Sequence, residues 1–122
     1  MKYLLIGLGG FAGAVTRYTI GLWVSNRFAG SFPWGTFAVN ITGAFLLGLM
    51  TAMILGKEVM EPYRLPIMVG FLGSYTTFST FSVETFKLLE TGQYLLSVLY
   101  SLGSVLLGLS AVWAGIGLGK LV

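Results

Sequence analysis

The chain has 122 residues, of which 56% are hydrophobic and 9% charged, and its mean hydropathy is +0.88. Soluble domains carry about 25% charged residues, so seven basic and four acidic side chains are too few to solvate a folded surface. With no histidine and no cysteine, imidazole acid–base chemistry, thiol nucleophiles, zinc sites and disulfides are all removed, and no enzyme is expected. The net charge of +3 is spread over Lys2, Arg17, Arg27, Lys57, Arg64, Lys87 and Lys120, which form no stripe for a nucleic acid.

A bilayer-spanning helix needs about 20 mostly apolar residues. Four segments fit: 3–23 with one charge, 36–55 with none, 65–89 with a polar middle, and 94–118 with none. The chain therefore reads as a single all-α transmembrane domain over 1–122. The first span imitates two other things. Met1-Lys2 and "AGA" (12–14) resemble a signal peptide, but three further spans of equal hydrophobicity favour a retained helix. Gly7-x-Gly9-x-x-Ala12 resembles a dinucleotide fingerprint, which also needs an acid about 20 positions on. The first acid here is Glu58. These glycines are better read as packing residues. Gly9 and Gly13, Ala44 and Gly48, and Gly115 and Gly119 each lie four apart, a spacing that lets membrane helices approach closely. The joins "SNRFAGSFP" (25–33), "GKEVMEPYRLP" (56–66) and "LLETGQ" (88–93) are polar or rich in turn-forming residues. Trp23, Trp34, Tyr63 and Tyr94 fall near the predicted interfaces, where amphipathic rings are favoured.

Polar residues inside a membrane need a partner or a task. Arg17 lies about 21 Å along its helix from Tyr3, at 1.5 Å per residue. It is either an anchor that snorkels to the interface or a charge guarding a pore mouth. Asn40 either joins two helices or serves function. In the third segment, "GSYTTFSTFS" (73–82) has six serines and threonines and no aliphatic residue. Glycine weakens a helix, and the hydroxyls compete for its backbone bonds, so a break is expected near 73–77. A broken helix is tolerated in lipid only where it is buried or lines a wet cavity, and its freed carbonyls suit a small cation such as Na+. Beyond the break, Phe78 and Phe81 share a face beside Thr77 and Thr80. They either simply pack or offer positive ring edges to an anion. Glu84 pairs with Lys87 on the last turn or lines a vestibule. Ser97, Ser101, Ser104 and Gly108, with Tyr100 beside them, form a hydroxyl stripe suited to a polar path.

These residues together resemble the Fluc-type small fluoride channel family. The resemblance covers nearly the whole chain: its size, its four spans, Arg17, Asn40 and the "GSYTTFSTFS-V-E" block. It implies a homodimer of two antiparallel, dual-topology subunits with fluoride pathways along their interface. It maps Asn40, Phe78, Phe81, Thr80, Tyr100 and Ser104 to the pathway, and Arg17 and Glu84 to the vestibule. A structural Na+ at the dimer centre would be held by the carbonyls of Gly73 and Thr76. The implied function is passive fluoride export across the inner membrane, lowering fluoride toxicity in the cytoplasm. Ser74-Tyr75 departs from the family pattern, where a second glycine and an apolar residue are expected. The alternative, a small four-helix proton-coupled exporter, needs an acid in the first span, and this one has none. With four spans, Lys2, Lys57, Arg64 and Lys120 lie on one side, against Arg27, Lys87 and a snorkelling Arg17 on the other. Four against three is almost no topological bias.

Overall fold

The computed structural model describes residues 1–54, 57 and 60–122. Leu55, at the end of the second predicted span, and Gly56, Glu58 and Val59, in the 56–66 join, lie outside the described residues. Among the described residues, three helices are long and apolar enough to cross a membrane: α1 (Lys2–Ser25), α2 (Trp34–Ile54) and α6 (Tyr94–Gly119). The third predicted span is not one such helix. It runs as α3 (Glu61–Arg64), a π-helical segment (Leu65–Leu72), a single turn α4 (Gly73–Tyr75) and then α5 (Phe78–Glu90).

The apolar surface faces outward. Among the described residues, the buried hydrophobic set is only Val39, Ile54, Leu72, Tyr75, Leu88 and Tyr100, whereas Leu8, Phe11, Leu102, Leu106 and Trp113 are exposed. In lipid the tails are as apolar as leucine, so helices must associate by close packing rather than by hiding apolar surface from water. Glycine provides that packing. α2 lies along α6, and α1 lies along the π-helical segment. A Cβ built on Gly48 would collide with the Val112 carbonyl, and one on Gly115 with the Phe45 carbonyl. On Gly119 it would come within 2.7 Å of the Leu49 carbonyl. On α1, the same addition at Gly9 would strike the Pro66 carbonyl, and at Gly13 the Phe71 carbonyl and the Ser74 hydroxyl. The four-residue glycine spacings therefore mark the α1 and α2–α6 seams. The link from α5 to α6 turns at Gly92, whose φ of +75° is one that L side chains rarely adopt.

Replacing Gly48 by Val should force α2 and α6 apart and cost about 1–3 kcal/mol, the usual penalty for overpacking. Gly117→Ala meets nothing within 4 Å and should be neutral. Thermal unfolding in detergent distinguishes the two. Equal midpoints would mean that the Gly48 seam does not hold the fold.

Candidate functional site

The site is built around the place where the third predicted span leaves helix. Gly73 is itself helical, with φ −64° and ψ −31°, so it is not the residue that breaks the chain. The break lies at Thr76 and Thr77, whose ψ values are 157° and 122°. Asn40 explains it. Its Oδ1 accepts the Thr77 N–H at 2.7 Å, and its Nδ2 donates to the Thr77 carbonyl at 2.9 Å. A side-chain amide thus pairs with both polar groups of one backbone residue, as a neighbouring strand would. The paired geometry also fixes which end of the amide is oxygen.

Carbonyls on the near side of the break lose their helical donors as a result, those of Gly73 and Thr76 among them. An α-helix satisfies each carbonyl from the N–H four residues on. The donor due to Gly73 is Thr77 N–H, which Asn40 takes. The donor due to Thr76 is Thr80 N–H, which bonds the Thr77 hydroxyl at 3.2 Å. Thr77 is thereby the N-cap of α5, a threonine placed directly before a helix, as capping prefers. That signal was readable in the sequence and points to the helix start better than Gly73 does. Gly73 is exposed on the protomer and Thr76 is half-buried. The Thr76 methyl enters the space left by the missing side chain of Gly43.

Beyond the cap, aromatic rings form a row. Phe78 and Phe81 have centroids 5.8 Å apart, and Phe81 and Tyr100 lie 5.0 Å apart. Phe78 is 79% exposed, whereas Tyr100 is fully buried. The Tyr100 hydroxyl donates to Glu84 Oε2 at 2.7 Å, and Thr36 Oγ1 donates to Glu84 Oε1 at 2.8 Å. Glu84 therefore does not pair with Lys87. Among the described residues the one ion pair is Arg64–Glu61, at 3.5 Å. Two hydroxyls from other helices reach the carboxylate inside the protein, where each charge-assisted bond is stronger than a solvated pair on a helix surface. Thr36 and Glu84 are 48 residues apart, and no local pattern could have joined them.

The serine stripe of α6 divides. Ser97 is buried and donates across to the Thr85 carbonyl of α5 at 3.1 Å. Ser101 bonds back to the Ser97 carbonyl of its own helix. The Ser104 hydroxyl is buried and meets no protein partner among the described residues. It lies one helical turn beyond Tyr100, hence on the same face of α6. Arg17 is half-buried and lines a cleft of about 390 Å³ with Tyr18, Thr36, Val39, Thr77 and Thr80. Thr80 is exposed, and its hydroxyl accepts from Thr77 at 3.1 Å. One positive side chain thus shares a cleft with the polar residues of the break. Glu84 and Lys87 line a second cleft, of about 320 Å³, with Ser31 and Thr91.

If Asn40 holds the break, Asn40→Asp should destabilise the protein by about 1–3 kcal/mol, because a carboxylate would set bare lone pairs against the Thr77 carbonyl. Thr77→Val should cost about 1 kcal/mol through loss of the cap. Unfolding midpoints of the two variants test this order. An Asn40→Asp protein as stable as the parent would remove Asn40 from the support of the break.

The chain matches the family model described as CrcB-like protein, Camphor Resistance (CrcB), over residues 4–116. It is 47% identical over 121 residues to a fluoride-specific ion channel FluC of Acidobacterium capsulatum, covering 98% of this chain and 97% of that one. It is 51% identical over 118 residues to a protein of the same description from Hahella chejuensis, covering 96% and 93%. A third relative, from Chloroflexus aurantiacus and named likewise, is 46% identical over 118 residues, covering 96% and 94%. The match runs through every helix of the fold and through the whole of the break, and the chain belongs to the CrcB family of multi-pass membrane proteins.

Proposed function

We propose that the protein is a fluoride-specific ion channel that lets fluoride leave the cytoplasm passively across the inner membrane and so limits its toxicity. Relatives of 46–51% identity over nearly the full chain carry that description. The observation that carries the reading within this chain is a set of polar donors beside aromatic rings, with a single basic residue near them. An amide nitrogen has two hydrogens, and Asn40 donates one bond to Thr77, so the other N–H remains to be offered. The Ser104 hydroxyl is buried and has no partner among the described residues. The positive ring edges of Phe78 and Phe81 add attraction without a fixed charge. Such a set favours a small anion that accepts strong hydrogen bonds over a larger, weaker acceptor such as chloride. In this reading Asn40, Phe78, Phe81, Thr80, Tyr100 and Ser104 form the pathway. Arg17 draws anions into the cleft, and Glu84, its oxygens occupied by Thr36 and Tyr100, borders the vestibule on the same side. A proton-coupled exporter would need an acid in the first span, and α1 has none.

The same reading makes the working unit a homodimer of antiparallel copies surrounded by lipid. The third predicted span, broken at Thr76–Thr77, then serves as the fourth crossing of each subunit. The 79% exposure of Phe78 supports it, because a pathway residue must be walled on its open side. The carbonyls of Gly73 and Thr76, deprived of helical donors, fit the oxygen preference of a hard cation. Supplied by two subunits, they would hold a structural Na+, which contributes a fixed positive charge at the subunit junction.

Liposomes containing the purified protein should release fluoride and retain chloride. Phe81→Ile, which keeps apolar bulk, should assemble normally and lose at least about tenfold in fluoride flux, the loss expected when a transport barrier rises by roughly 1.4 kcal/mol. Parental flux in a well-assembled Phe81→Ile dimer would exclude the ring from the pathway. For topology, two lysines added within 56–66 should force one orientation. Expressed alone, that variant should be inactive, and a partner carrying lysines at 25–33 should restore flux. Full activity of the first variant by itself would overturn the antiparallel arrangement.

A further inference from the structure

We infer that Ser74 and Tyr75, the two residues that depart from the pattern expected by resemblance, are positioning residues for the Gly73 and Thr76 carbonyls. The inference rests on the structural-cation reading above. Both residues belong to the single helical turn between the π-helical segment and the break. The turn continues that segment, since Gly73 N–H bonds the Met68 and Gly70 carbonyls and Thr76 N–H bonds the Leu72 carbonyl. Side chains add to that backbone continuity, and each of these two ties the turn to a different long helix.

Ser74 secures the turn to α1. Its Oγ lies 2.8 Å from the Gly10 carbonyl, 2.8 Å from the Gly70 carbonyl and 3.1 Å from the Phe71 carbonyl. One hydroxyl proton is shared among three acceptors, two on its own segment and one across the helix junction. The bare Cα of Gly13 makes the room: a Cβ there would overlap the Ser74 hydroxyl. Serine and glycine thus fit each other across the contact, and a glycine at position 74 would leave the Gly10 carbonyl without this donor.

Tyr75 secures the turn to α2. Its ring is 4% exposed, lies parallel to Phe71 at 6.0 Å between centroids, and covers Gly43. Its hydroxyl lies 2.9 Å from Thr42 Oγ1. Thr42 sends its own proton to the Ala38 carbonyl at 2.7 Å, so the phenol is the donor in this bond. Thr42 lies two residues after Asn40. α2 therefore holds the chain on both sides of Thr76, through Tyr75 before it and Thr77 after it. The Thr76 hydroxyl turns back to the Leu72 carbonyl at 3.1 Å. From 74 to 77 every side chain is engaged within the protein, and Gly73 has none, so backbone carbonyls are what this turn has left to present to a cation.

The test uses the intact protein in detergent, with NaCl titrated against N-methylglucamine chloride at constant ionic strength and the unfolding midpoint as the readout. A cation bound only by the folded dimer raises the midpoint with concentration. In Ser74→Ala and in Tyr75→Phe, the Na+ concentration giving half the stabilisation should rise about 3- to 10-fold, the size of one lost net hydrogen bond. Both variants should approach the parent at saturating Na+. Ser101→Ala, whose hydroxyl serves its own helix, should leave that concentration unchanged. Variants that melt lower by the same amount at every Na+ concentration would assign Ser74 and Tyr75 to general packing and overturn the inference. A parent protein with no Na+ dependence would overturn the cation reading, and this inference with it.

Discussion

The structure depends on two hydrogen bonds between the amide of Asn40 and the backbone of Thr77. A helix in lipid has no water to receive a freed N–H or carbonyl, so it cannot end in mid-course without a substitute partner. Asn40 supplies both halves of that substitute from α2. Because the amide satisfies Thr77, the chain can extend at Thr76 and Thr77 and restart as α5 under the Thr77 cap. The freed carbonyls of Gly73 and Thr76, the start of α5 and the placing of Phe78 and Phe81 follow from that one exchange.

The rest of the fold keeps this exchange in register. Close backbone contact at Gly9 and Gly13 sets α1 against the segment leading into the break, and Gly48, Gly115 and Gly119 set α2 against α6. Dispersion contacts fall away steeply with separation, so helices that meet backbone to backbone hold their relative position more firmly than helices kept apart by long side chains. Asn40 and Thr77 are thereby held within hydrogen-bond distance, and Thr36 and Tyr100 are brought to Glu84 from two different helices.

Among the described residues, the polar side chains at the helix contacts are almost wholly assigned. The hydroxyls of Thr36, Thr42, Ser74, Tyr75, Thr76, Thr77, Ser97 and Tyr100 all have protein partners. Against that background the unpaired hydroxyl of Ser104 and the second amide hydrogen of Asn40 are distinctive. A site that recognises an anion with dipoles and ring edges avoids the deep trapping that a buried lysine or arginine would impose, and conduction needs binding weak enough to allow exit.

The sequence alone determined the class of protein. Its long apolar runs at this charge content have no stable arrangement in water, and the four-residue spacing of small residues marks helix seams because one helical turn is close to four residues. It also placed a break within 73–77, since helix-weakening residues crowd there, and it selected Asn40 because an amide in an apolar run needs a partner. Tertiary structure decided the rest. It narrowed the break from 73–77 to Thr76–Thr77, because the partner that ends the helix is Asn40, 37 positions away. It gave Glu84 to Thr36 and Tyr100 rather than to the nearby Lys87. It split the serine stripe into a cross-helix bond, a back-bond and an unpaired hydroxyl. Local periodicity reports which residues share a helix face. Which donor reaches which acceptor depends on how closely separate helices approach, and that distance is set by packing along their whole length.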